Sequence, residues 1–118
     1  AIERGISEVI ARVRPGLLAI EEAFYGKDVR SLLRLGEVRG VILAAARRAG
    51  VSVAQYPPAT VKLAVTGSGR ATKEQVACMV VRMVSAVRSP PPADAADALA
   101  VAICASHREA LAGKRLRA

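Results

Sequence analysis

The feature that most constrains this chain is a short apolar run, a long helical pattern and a second apolar run, in that order. Leu17-Leu18-Ala19-Ile20 follows the chain-breaking pair Pro15-Gly16. A continuous apolar stretch in that setting reads as a strand buried on both faces, as in parallel sheets. Asp28 can then cap a helix running to about Gly50, with Leu32, Leu35, Val38 or Arg39, Ile42 and Ala45 at the helical period. Val51-Ser-Val-Ala-Gln-Tyr56 reads as a second strand. Strand, long helix, strand is a βαβ unit, and its crossover makes the two strands parallel. The fold class is therefore α/β. Two strands make a poor sheet, and so apolar a strand without neighbours on both sides would be an aggregation-prone edge. The expectation is that upstream strands of the same sheet are missing from the sequence.

The rest of the chain is helical. Residues 2–13 place Ile2, Ile6, Val9 and Ile10 on one face and Glu3, Arg4 and Glu8 on the other. Gly36 and Gly40 lie four apart in the long helix. Each costs up to about 1 kcal/mol relative to Ala, so a close backbone approach to another element is expected there. Pro57-Pro58 ends the second strand, residues 60–65 can make a short helix, and residues 66–70 read as a flexible loop. Thr72 with Gln75 three residues on is a capping-box pattern opening a third long helix. Val76, Met79, Val80, Met83 and Val87 are its expected core face. Ser89-Pro-Pro-Pro92 is a rigid break before a final helix from about Asp94 to Leu111. The 118 residues suit a single domain, residues 1–118.

The chain has 18 Lys and Arg against 10 Asp and Glu, a net charge of +8. An excess of that size points to an anionic partner, and nucleic acid is the usual one. The cations are dispersed, among them Arg12, Arg30, Arg39, Lys62, Arg70, Lys73 and Arg82, which suits phosphate contacts over a folded surface. Cys78 and Cys104 sit in apolar helical patterns and read as reduced core residues of a cytoplasmic protein. No apolar run is long enough to span a bilayer. Residues 1–14 are charged and amphipathic, unlike a signal peptide.

Three acids stand in telling places. Glu21 directly follows the first apolar strand, and in open α/β sheets functional groups gather beyond the carboxyl ends of strands. A lone acid there is also an ordinary solvated loop residue. Asp94 and Asp97, spaced by three at the start of the last helix, share one face. An isolated Asp-x-x-Asp is commonly an N-cap with a first-turn acid, favoured by the helix dipole. Here everything from Ala98 to Ile103 is small or apolar. Two close acids at the head of so buried a helix suggest a cation between them, and oxygen ligands suit Mg2+ or Mn2+. Lys62 and Lys73 flank the glycines of the 66–70 loop and can reach a phosphate, although solvated lysines look the same. That loop lacks the Gly-Lys-Ser/Thr close of a nucleotide-binding loop. His107 lies ten residues, about 15 Å, beyond Asp97 and cannot join the pair. Phe24, the single Phe, lies in a charged loop where it could stack on an unpaired base or simply pack.

Taken together, Leu18-Ala-Ile-Glu-Glu-Ala-Phe24, Leu35-Gly-Glu-Val-Arg-Gly-Val41 and Ala93-Asp-Ala-Ala-Asp-Ala-Leu-Ala100 resemble the RuvC family of Holliday junction resolvases, and Val61-Lys62-Leu-Ala-Val-Thr-Gly-Ser-Gly and Lys73-Glu-Gln-Val76 add to the match. The resemblance implies an RNase H-like fold, here truncated at its N-terminal strands, with a βαβ unit and C-terminal helices. It implies a crossover junction endodeoxyribonuclease of DNA recombination and repair, with two Mg2+ per active site (Mn2+ being possible). Glu21, Asp94 and Asp97 would be metal ligands, Lys62 and Lys73 would lie near the scissile phosphate, and Phe24 and Arg70 would contact DNA. Four-way junction DNA, a second copy of the chain packed across the helix carrying Gly36 and Gly40, and the branch-migration proteins RuvA and RuvB are the implied partners. The family's first catalytic Asp sits on an opening strand in an Ile-Asp-Pro-Gly context, and no Asp precedes Asp28 here. That departure leaves an alternative, a non-catalytic DNA-binding or dimerisation fragment of such a resolvase.

Overall fold

The computed structural model describes residues 2–22 and 28–117, with side-chain surroundings up to residue 111. Five helices and two strands follow in the order α1 (Ile2–Val13), β1 (Leu17–Glu21), α2 (Val29–Arg48), β2 (Ser52–Tyr56), α3 (Pro58–Thr66), α4 (Lys73–Met83) and α5 (Ala93–Arg117). They divide into two compact units, Ala1–Gln55 and Tyr56–Ala118.

In the first unit β1 and β2 pair as a short two-stranded parallel sheet joined through α2. Local chemistry sets the ends of α2. The Asp28 carboxylate accepts from Ser31 N at 2.8 Å, satisfying one of the first-turn donors that have no intrahelical partner. The same bonds hold its pKa below the usual carboxylate value. At the far end Gly50 has φ +72°, a conformation glycine adopts without a Cβ penalty. Val51 N donates to Ala46 O at 2.9 Å and Gly50 N to Arg47 O at 3.1 Å, closing the helix in a Schellman turn. α1 packs on α2, and Arg48 pairs with Glu3.

The strand expected to be buried on both faces is half-buried at all five positions, because a two-stranded sheet gives each strand a single neighbour. Gly36 and Gly40 also depart from expectation. A Cβ built on either meets nothing within 4 Å, so among the described residues no element approaches them closely.

The second unit is a three-helix packing of α3, α4 and α5. Its core is Val61 and Val65 from α3, Ala71 from the loop before α4, Val76 and Val80 from α4, and Ala96, Ala100, Val101, Cys104 and Ala105 from α5. Small side chains on α5 let the helix backbones come close. Cys104 is wholly buried, its thiol pKa is pushed up by that burial, and its Sγ lies 3.9 Å from the Thr60 carbonyl. Cys78, expected in the core, is exposed, because α4 turns its other face, Val76 and Val80, inward. α4 stops at Met83, so Val87 lies beyond the helix expected to carry it. The loop expected to be flexible is pinned instead. Gly67, at φ +83°, donates its N–H to Leu63 O, Thr66 Oγ1 accepts from Ser68 N at 3.1 Å, and Ser68 Oγ accepts from Arg70 N at 3.2 Å. The capping box then forms in full, with Gln75 N donating to Thr72 Oγ1 and Thr72 N to Gln75 Oε1.

Candidate functional site

The first turn of α5 carries the pair of acids. Pro90-Pro91-Pro92 cannot extend a helix backward, and the Pro92 carbonyl accepts the first helical bond from Ala96 N at 2.9 Å. The helix therefore begins at Ala93, and Asp94 falls in its first turn, where the dipole favours a negative charge. Asp97 follows one turn later on the same face.

The side of the helix they occupy is informative. Ala100, Val101 and Cys104 lie three, four and seven residues beyond Asp97, and all three are buried. By the helical period Asp97 therefore stands on the core-facing side. Val101 lies seven beyond Asp94 on the same side. Yet Asp94 and Asp97 are both exposed. The expected wholly buried helix is thus corrected. α5 buries one stripe only, Ala98 and Ala102 are exposed on its other side, and the acids head the buried stripe where α3 and α4 no longer cover it. Among the described residues neither carboxylate takes a hydrogen bond or an ion pair. Two carboxylates one turn apart offer only hard oxygen donors, the set that Mg2+ and Mn2+ prefer.

The basic residues lie nearby in sequence but on separate elements. Lys62 is half-buried on α3, Arg70 is exposed in the pinned loop, and Lys73 is exposed as the first residue of α4. A lysine at a helix N-terminus adds a cation where the dipole is already positive, which disfavours the helix and favours an anion. His107 is exposed on α5, far along the helix from the acids.

In the first unit Glu21 is the last residue of β1 and half-buried. Its carbonyl accepts from Arg39 Nη1 at 3.1 Å. The second nitrogen of the Arg39 fork donates to Gln55 Oε1. Ile20, Glu21, Leu32, Leu35, Arg39 and Ile42 line a groove between the end of β1 and α2. Phe24 lies outside the described residues. Among the described residues no group of three or more His, Cys, Asp and Glu could hold a metal ion. The sequence places Arg39 among the dispersed cations and as an alternative to Val38 in the helical period, without linking it to Glu21. The signal was a charged residue at a position where that period calls for an apolar one.

Known proteins resemble this chain over most of its length. The family model described as crossover junction endodeoxyribonuclease RuvC matches residues 1–105. The RuvC protein of Chlorobium phaeovibrioides is 52% identical over 103 residues, which is 87% of this chain and 54% of that protein. That of Chlorobaculum parvum is 49% identical over 100 residues, 85% of this chain and 54% of the relative. The chain thus spans about half the length of these two relatives. Among solved structures, Thermus thermophilus RuvC superposes with a TM-score of 0.84 at 38% identity, covering 94% of this chain and 67% of that one. The same protein in complex with a Holliday junction substrate gives a TM-score of 0.82 at 39% identity, covering 87% and 62%.

Proposed function

The chain belongs to the crossover junction endodeoxyribonuclease RuvC family and has its RNase H-like fold, and on that premise we propose that it resolves Holliday junctions by hydrolysing DNA phosphodiesters. The observation that carries this reading is the exposed pair Asp94 and Asp97, standing on the core-facing side of α5. Evolution of a stable helix would place apolar residues there. Glu21, at the carboxyl end of β1, is the third acid of the proposed set. In the family a fourth acid comes from the opening strand.

Mg2+, or Mn2+, held by Glu21, Asp94 and Asp97 would supply Lewis-acid stabilisation of the charge developing on the phosphate and lower the pKa of an attacking water. The reaction is in-line. A water oxygen bonds to phosphorus, the bond from phosphorus to the 3′ oxygen breaks, and that oxygen takes up a proton. The products are a 5′ phosphate and a 3′ hydroxyl, which a ligase can rejoin. Lys62 and Lys73 neutralise the scissile phosphate, and Arg70 and Phe24 contact the junction. A homodimer would nick two opposed strands symmetrically. The exposed Leu32, Leu35 and Val38 on α2, beside the open surface over Gly36 and Gly40, support α2 as the dimer contact. RuvA and RuvB would deliver the junction. The two compact units would act as parts of one RNase H-like domain, since the family match runs through both. None of the described helices is long and apolar enough to cross a membrane, and a cytoplasmic setting suits the proposed DNA substrate.

The test is nicking of a synthetic four-way junction with Mg2+ by the full-length protein. D97N, D94N and E21Q are each expected to slow nicking about a thousandfold, the equivalent of several kcal/mol of lost charge stabilisation, while junction binding without metal persists. Parallel loss of binding and nicking would overturn the assignment. Chelation should stop the reaction. If phosphate contacts dominate binding, log affinity falls against log salt by about 0.9 per contact. The lack of a three-acid group among the described residues favours a second reading, a DNA-binding or dimerisation module without chemistry. Junction binding with no nicking at any Mg2+ or Mn2+ concentration, with or without added upstream sequence, would select it.

A further inference from the structure

We propose that the outward face of α4 is a contact between two copies of this chain, packed antiparallel about Cys78. The proposal is independent of the reading of the acids and of the contact on α2.

α4 has two faces. Val76 and Val80 are buried in the core of the second unit. By the helical period, Glu74, Ala77, Cys78, Val81 and Arg82 lie on the opposite side. A helix side turned to water ordinarily carries polar residues. This one carries Ala77, Cys78 and Val81 between one acid and one base, and with Pro90 these residues line an open, largely apolar groove. Glu74, Cys78 and Arg82 are exposed, and Ala77 and Val81 are half-buried.

The charges specify what fits this face. Glu74 lies four residues before Cys78, and Arg82 lies four after it. The acid and the base are about 12 Å apart along the axis, too far to pair with each other. Among the described residues neither has an ion pair. A second α4 running the opposite way, with the twofold axis at Cys78, sets each Glu74 against Arg82 of the other copy. That is the self-complementarity a twofold contact requires. Ala77 and Cys78 are small, so the two backbones can come close at the crossing. The ion pairs fix direction and register more than affinity. One helix face falls short of the roughly 1,000 Å² of a stable interface, so the contact is weak and forms where copies are concentrated. Glu74 in the first turn and Arg82 in the last also suit the helix dipole. The dipole accounts for their signs but not for the apolar residues between them, and the two accounts part in a double variant.

The experiment treats the full-length protein, at high concentration, with a short bis-maleimide. It measures the Cys78–Cys78 linked peptide by mass spectrometry, beside thermal unfolding. Cys104 is wholly buried and so shielded from the reagent. The natural protein is expected to give the link. E74R and R82E should each lower its yield about tenfold, because each reversal sets two like-charge pairs across the axis. E74R/R82E restores both pairs and should return the yield to within about twofold of natural, although by the dipole it is the least stable of the three. No link in the natural protein, an unchanged yield in either single variant, or a double variant no better than the singles would each overturn the proposal.

Discussion

Among the described residues, the unit Tyr56–Ala118 buries ten hydrophobic residues and the unit Ala1–Gln55 buries three, Ile10, Ala45 and Ala46. The exposed large hydrophobics divide the other way. Ile2, Val9, Val13, Val29, Leu32, Leu33, Leu35 and Val38 belong to the first unit, against Leu63, Met83 and Leu111 in the second. Three helices with small residues at their contacts can close a core by approaching one another. A two-stranded sheet with two helices cannot, because each strand has one neighbour and the first half of α2 leaves Val29, Leu32, Leu33 and Leu35 exposed. The unit with the closed core carries the exposed acids, and the unit with the open core carries the apolar surface. One is built to hold charge steadily and the other to meet something.

The strongest way to break this comparison is to separate the units. Residues 56–118 alone are expected to unfold cooperatively on heating, with helical circular dichroism at low temperature, whereas residues 1–55 should give a weak, non-cooperative signal. Cooperative unfolding of both would show that the open core is sufficient by itself. Next comes the apolar surface. L35E places a charge on a side chain already 43% exposed, so it should leave folding nearly intact while weakening self-association at least about a hundredfold, roughly the loss of a central contact in an interface. Sedimentation of the full-length protein reads this, and unchanged association would remove α2 from the dimer contact. V80A deletes part of a side chain with no exposed surface and should destabilise the protein by about 2 kcal/mol. L33A, at a position 62% exposed, should change stability by less than about 0.5 kcal/mol. Equal effects in denaturant titrations would erase the distinction between the cores.

The smallest effect concerns pH. The Asp28 pKa is lowered in the folded chain, so the folded state favours the carboxylate. Its contribution is present above the ordinary value of 3.8 and is lost as pH falls below that through the folded value. D28N keeps an acceptor for Ser31 N but cannot titrate, and should flatten that part of the stability profile. A profile identical to the natural one would show that the cap contributes no pH dependence.

Much of this was legible in the residues. The order of elements, the Asp28 cap and the Thr72–Gln75 capping box are local, and local chemistry decides them: a side-chain oxygen three residues before a free N–H either is there or is not. The acids Asp94 and Asp97 could be paired from their spacing alone. Burial was less legible. Cys78 and Cys104 sit in similar apolar patterns, yet one is exposed and the other wholly buried, because the pattern fixes which residues share a face and not which face meets a neighbour.

The sequence by itself determined the order of helices and strands and the capped starts of α2 and α4, since capping, proline breaks and glycine turns act over a few residues, and it determined the family, since several spaced motifs must coincide; the end of α4, short of Val87, it did not fix. Only the tertiary structure decided that the acids of α5 stand uncovered at the head of a buried stripe, that Gly36 and Gly40 face open space, and that Arg39 grips the end of β1. Each of those depends on which surfaces of distant segments come together, and hydrophobic burial, being non-directional, leaves that choice to the packing of the whole unit.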